Sequence, residues 1–150
     1  MSRMFQYKIF HNILYLNNAL FKCNLSDSPL CSYCGQEPET VQHLFYECQF
    51  SKKLWDEIKN FFILKLSLPS LVLQSALFGF YDNPTKNYIA NNILLIFKLT
   101  LYKNRKKSTP TLSKILKNIK DRELLERCCA ASENRICMHN DKWAPIASLL

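Results

Sequence analysis

Cys31, Cys34, His43 and Cys48 stand in the order C-x2-C-x8-H-x4-C, so four soft or borderline donors fall within 18 residues. A closed tetrahedral zinc site needs that set: thiolates and an imidazole filling every position, with none left for water or substrate. Two thiolates separated by two residues can face one ion if Ser32 and Tyr33 make a tight turn, and Gly35 lets the chain leave that turn with positive φ. His43 is expected on the helical turn that follows. Residues i and i+5 lie about 140° apart on an ideal α-helix, so Cys48 must sit at or beyond the helix end for the backbone to fold back to the metal. The competing reading makes the cysteines buried thiols and His43 a hydrogen-bonded core residue, but four together at ligand spacing favour zinc. The expected cofactor is one structural Zn2+. Its binding would supply folding energy, on the order of 10 kcal/mol apparent for comparable sites, to a loop with little else to order it. A second grouping, Cys128, Cys129, Cys137 and His139, matches no usual ligand set, because adjacent cysteines diverge on a helix. Core thiols and a surface histidine are expected there. Cys23 is expected to pack, and His11 to lie on a helix surface.

The elements that must hold this loop read as helices. Met4, Phe5, Ile9, Phe10, Ile13 and Leu14 recur at helical spacing, and Leu16, Ala19 and Leu20 follow before Ser26 to Pro29 break the pattern. Leu54, Trp55, Ile58, Phe61 and Phe62 make an amphipathic helix that should stop before Pro69. A short apolar helix from Ser70 to Phe78 should end at Gly79. Asp82 or Asn83 as cap and Pro84 as first residue open a helix to about Lys103 that is apolar around most of its circumference, with Asn87, Asn91, Lys98 and Arg105 as its exposed polar seam. Thr109 and Pro110 form a second cap and first-residue pair for a helix from Thr111 to about Asn134, with Leu112, Ile115, Leu116 and Ile119 inward and Lys114, Lys117 and Lys120 on a neighbouring face. The close through Trp143 and Pro145 reads as a tail packing back on the body. The fold class is thus mainly α: a small helical domain organised around a CCHC zinc knuckle, with longer C-terminal helices. Residues 1–82 hold the opening helices, the site and the amphipathic helix, and residues 83–150 a basic helical segment packed on them as one unit.

Composition narrows the function. At 150 residues, 48% hydrophobic and 13% aromatic, the chain has material for a core and is not a disordered tail. Two glycines exclude a glycine-rich phosphate loop and argue against a turn-rich β architecture. The net charge of +8 is segregated: from Asn83 to Lys120 there are nine basic residues and no acid. Such a field attracts polyanions, although a solvated face or an acidic protein partner would also account for it. The contacts expected with nucleic acid are Lys98, Lys103, Arg105, Lys106, Lys107, Lys114 and Lys117. Tyr102 and Tyr33 are the aromatics nearest the basic hinge and the metal loop, more readily packing than stacking on bases. Charged and polar residues break the opening stretch, which argues against a secretory signal, and Asn91, Asn92 and Lys98 break the most apolar one, which falls short of the ~20 residues a bilayer requires. An intracellular protein, nuclear or cytoplasmic, with reduced cysteines and no membrane partner is expected.

The stretch PLCSYCGQEPETVQHLFYECQFSKKLW resembles the zinc-binding region at the C-terminal end of reverse transcriptases of non-LTR, LINE-type retrotransposons. The resemblance extends to FQYKIFHNILYLNNAL before it and to ALFG, NNILLIFKLTLYKNRK and a closing KW after it. It implies zinc ligation by Cys31, Cys34, His43 and Cys48 and a helical module that holds template RNA or target DNA for the polymerase. Catalytic residues are not expected. Phe80, Tyr81, Asp82 and Asn83 are a poor match to a Tyr-x-Asp-Asp palm turn, and no Pro-Asp of a restriction-like endonuclease occurs. A zinc deaminase would need an upstream His-x-Glu, but His11 is followed by Asn12 and Ile13. No small-molecule substrate is expected. The expected partners are RNA, DNA or both, and a reverse transcriptase body; the alternatives are a zinc-stapled scaffold module or a non-functional fragment of a retroelement.

Overall fold

The computed structural model describes residues 2–62, 66, 72–81 and 87–149, with the side chains of all but the first two. They form seven α-helices: α1 (Ser2–Phe10), α2 (Asn17–Lys22), α3 (Gln49–Phe62), α4 (Leu73–Phe78), α5 (Tyr88–Asn104), α6 (Leu112–Ser132) and α7 (Ile136–Trp143). A π-helical turn, His43–Glu47, precedes α3, and a 3-10 turn, Ala144–Leu149, follows α7. Among the described residues the only β pairing is one bridge, Leu30 with Pro38, and no helix is long and apolar enough to cross a membrane. The expected helix stop before Pro69, the helix start at Ser70, the Asp82, Asn83 and Pro84 cap and the 82/83 boundary lie outside the described residues.

α5 is the axis, because its apolar residues leave almost no free side. Ile89, Ala90, Ile93, Leu94, Phe97 and Leu101 are buried, and α1, α6, α7 and the π-helical turn all pack against it. Leu54, Trp55, Ile58 and Phe62 of α3, Ile115 and Ile119 of α6, and Trp143 and Ile146 of the closing segment complete one continuous core. Three helices end on an asparagine in the left-handed region: Asn12, Asn24 and Asn134, with φ of 53°, 56° and 55°. Thr111, not Thr109, caps α6, its hydroxyl accepting from the Lys114 N–H at 3.4 Å, while Pro110 is buried just outside the helix. The expected C-terminal tail is a helix and a 3-10 turn, with Trp143 Nε1 donating to Glu126 at 3.1 Å.

Asn91, Lys98 and Arg105 of the expected polar seam turn inward, which corrects the expectation of an exposed strip. Asn91 clamps the backbone of Phe80, its Oδ1 accepting from the N–H at 2.7 Å and its Nδ2 donating to the carbonyl at 2.8 Å. Gly79 is required beside it: its φ is +89°, and a Cβ there would stand 2.8 Å from Asn91 Oδ1. Lys98 is 2% exposed, and its ammonium donates to Gln6 Oε1 of α1 at 2.9 Å and to the Leu77 carbonyl of α4 at 3.2 Å. Unpaired backbone carbonyls and amides at the joins of short helices need buried partners, and α5 supplies them from one line of side chains.

Burial of Lys98 with no acid at hand pushes its amine down from 10.5 to about 7, since removal from water penalises the charged form. Between those values the unfolded chain holds a proton that the folded chain does not, so stability gained from this site rises with pH through that window. Lys98→Met is therefore expected to stabilise the protein near pH 7 by on the order of 1–4 kcal/mol. The advantage over wild type should shrink steadily toward pH 10 in urea titrations run at both pH values.

Candidate metal centre

The loop from Pro29 to Glu39 is a small hairpin that folds back on itself. The Cys31 N–H donates to the Glu37 carbonyl and the Glu39 N–H to the Pro29 carbonyl, both at 2.8 Å. Within it the first two cysteines are set by the expected tight turn: the Gly35 N–H donates to the Cys31 carbonyl at 2.9 Å, and Gly35 leaves the turn with φ +64°. Thr40 then caps the following turn, its hydroxyl accepting from the His43 N–H at 3.0 Å. The helix widens at once. Cys48 N–H donates to the His43 carbonyl five residues back at 2.8 Å, and Cys48 itself is extended, ψ 126°, at the junction with α3. Both features answer the 140° problem: the i to i+5 turn brings residue 48 round toward residue 43, and the break in helical ψ turns its side chain back.

Cys31 Sγ, Cys34 Sγ, His43 Nε2 or Nδ1 and Cys48 Sγ all lie within 4.8 Å of one another. Cys31 and Cys48 are 4.0 Å apart, and Cys34 Sγ is 3.3 Å from His43 Nε2. Tetrahedral zinc with Zn–S bonds of about 2.3 Å places two sulfurs about 3.8 Å apart, so the donor set fits one structural zinc ion with little rearrangement. Cys31, His43 and Cys48 are buried, leaving Cys34 alone partly open. The electrostatics suit thiolate ligands. Cys48 is held below the ordinary thiol range because Cys31 donates to it and because the Ser51 and Phe50 amides at the start of α3 point at its sulfur. Cys31 is pushed up by that same sharing of a proton and by burial, against the pull of the Cys34 and Tyr33 amides. With a metal bound, Cys31 and Cys48 would both ligate as thiolates, and the backbone amides would go on donating to their sulfurs.

The residue that anchors the knuckle was not among those singled out from sequence. Glu39 is fully buried; its Oε2 accepts from the Ser32 N–H at 2.8 Å and its Oε1 from the Asn17 N–H at 3.1 Å and from Arg105 Nε at 3.2 Å. Arg105 also donates to the Tyr102 carbonyl at 2.6 Å and to the Tyr15 carbonyl, and its guanidinium lies 4.1 Å from the Tyr102 ring centroid. Asn17 Nδ2 adds bonds to the Leu30 carbonyl at 2.8 Å and Ser32 Oγ at 3.1 Å. A carboxylate immediately before the capping threonine is a signal only in retrospect, since nothing local says it is buried.

Among the other site residues expected from sequence, Lys98 and Arg105 do not reach the surface as phosphate contacts: one is enclosed between α1, α4 and α5, the other is committed to Glu39. Lys106, Lys107 and Lys114 are exposed, Lys103 is exposed at the end of α5, and Lys117 is exposed but pairs with Asp121 at 2.8 Å. Tyr33 stacks on Phe50 at 4.6 Å and donates to the Leu101 carbonyl at 2.7 Å, so it is packing. The second cysteine grouping is the reverse of expectation. Cys128, Cys129 and Cys137 are exposed, whereas His139 is buried with Nε2 3.3 Å from the Glu123 carbonyl. Cys23 is also exposed.

Cys48→Ser is expected to lose most bound zinc and to lower the melting temperature to that of chelator-treated wild type, as read by metal analysis and thermal denaturation. Arg105→Ala leaves the Glu39 carboxylate buried with two amides only and is expected to cost about 3–5 kcal/mol. Arg105→Ala with Glu39→Gln should recover part of that loss in the same denaturation experiment.

Among known proteins, no curated protein and no solved structure matches the chain. A family does: residues 1–55, which hold all four ligands and end within α3, match the family described as zinc-binding in reverse transcriptase, and the basic helices lie beyond the match.

Proposed function

We propose that this chain is a zinc-stabilised nucleic-acid-binding accessory module of a reverse transcriptase, without catalysis of its own. The observation that carries the reading is a groove of about 400 Å³ between α5 and α6. Lys103 of α5, Lys107 of the turn that follows it, and Lys114 and Arg122 of α6 line it, with Asn104 and Asn118 between them. Asp121 is the single acid in the lining, and Lys117 neutralises it. Arg122 is paired with Glu126 at 2.6 Å, and the three lysines converging on one concave surface focus potential there and suit a phosphate backbone. The zinc centre contributes indirectly. Through Glu39 and Arg105 it fixes the C-terminal end of α5, which carries Lys103 and leads into the turn that carries Lys107.

A second reading, a module that meets a protein partner such as the polymerase body, draws support from apolar residues left open on α1, α2 and their flanking loops: Phe10, Ile13, Phe21 and Leu25 are 54%, 50%, 45% and 72% exposed.

Fluorescence anisotropy of the zinc-loaded chain with labelled oligonucleotides across a salt series separates the two. Affinity is expected to fall linearly in log–log form, and Lys107→Ala with Lys114→Ala should reduce the slope by about 1.5, the loss of two phosphate contacts. Arg105 is kept intact, because its loss would disturb the knuckle. Failure to bind at low salt, with retention on an immobilised polymerase body, would favour the protein partner.

A further inference from the structure

We infer that the ligand of the basic face is a single strand of nucleic acid, seated in a track of three consecutive clefts from α6 across α5 to α1 and α2; the inference rests on the nucleic-acid reading above. The α5–α6 groove does not end at α5. Leu99 and Lys103 are shared with a second cleft of about 230 Å³ between α5 and α1, where Met4, Phe5 and Tyr102 form the walls. Lys8 and Leu14 of that cleft are shared in turn with a third, about 340 Å³, bounded by Ile13, Tyr15 and Leu25.

Two properties of the track discriminate between strands. Lysines recur along it, Lys114 and Lys107, then Lys103, then Lys8, and no acid lines the second and third clefts. The first 26 residues of the chain contain no Asp or Glu. Between the lysines the walls are apolar, which phosphates cannot use. A duplex hides its base faces in its own stack and presents backbone and base edges, whereas a single strand has bare base faces to place against apolar and aromatic side chains. Tyr15, 65% exposed with the Lys8 ammonium 5.7 Å from its ring centroid, offers such a platform in the third cleft. Its backbone carbonyl is held by Arg105, so the platform is tied to the knuckle.

The test uses the full zinc-loaded chain with labelled 12-mers of oligo(U) and oligo(dT) and a blunt 12-base-pair duplex, at one salt concentration. Both single strands are expected to bind at least about tenfold more tightly than the duplex, and Tyr15→Ala and Lys8→Ala each to weaken single-strand binding about fivefold, a stacking or charge contact's share. Zinc content and melting temperature should stay at wild-type values, since both side chains lie outside the core. A preference for oligo(U) over oligo(dT) would assign the strand to RNA, and the reverse to DNA, within the same inference. Equal binding of duplex and single strand, indifferent to Tyr15→Ala and Lys8→Ala but weakened by Lys107→Ala with Lys114→Ala, would overturn the track and leave the nucleic-acid reading standing. No binding to any oligonucleotide would overturn both. If the two α1–α2 changes instead abolished binding of a Glu-rich amphipathic peptide and left oligonucleotide affinity untouched, the second and third clefts would belong to a protein partner.

Discussion

A single buried carboxylate, Glu39, joins three parts of the molecule that lie far apart in sequence. Its two oxygens take an amide from the metal loop, an amide from the start of α2 and the guanidinium at the end of α5. The charge is removed from water on both sides of the pair, so neither partner can leave without stranding the other. The metal loop, the α1–α2 corner and the exposed basic end of α5 are consequently fixed in one arrangement. A zinc ion organises its own ligands. Glu39 and Arg105 connect that local order to the rest of the fold.

The metal centre illustrates how a local rule is met by an irregular element. Three of its four ligands precede a widened helical turn or lie on it, and the fourth follows it at the N-terminus of α3. That place has a second consequence: amides of the first turn of a helix favour a thiolate, so the position that lets Cys48 reach the ion also lowers the cost of ionising it. Neither property depends on the distant chain. Both follow from the spacing between His43 and Cys48 and from Thr40 starting the turn.

Charge behaves differently. The acid-free run from Asn83 to Lys120 contains cations of two kinds. Lys98 and Arg105 serve as internal donors to backbone carbonyls, the Gln6 side-chain oxygen and the Glu39 carboxylate, while Lys103, Lys106, Lys107 and Lys114 are exposed. A lysine and an arginine are long enough to satisfy acceptors across a helix interface, and an interface built around one nearly all-apolar helix has few other donors to use.

Local sequence was enough for the four ligands, the tight turn at Gly35, the helical class, the stop at Gly79 and the inner stripe of α3 apart from the exposed Phe61, because each depends on neighbours within a few residues, whereas the cap of α6 fell two residues later than expected, at Thr111. Helical periodicity also marked α5 as buried, from the apolar residues around it. What it could not determine was the direction of that helix's polar seam, whether Cys128 or His139 lies inside, or the depth of Glu39. Those depend on partners far along the chain: Arg105 meets Glu39 across 66 positions and Lys98 meets Gln6 across 92. Long-range packing settles them, since a polar side chain is turned inward by the unsatisfied groups it happens to meet, and residue type alone carries no record of where those groups will be.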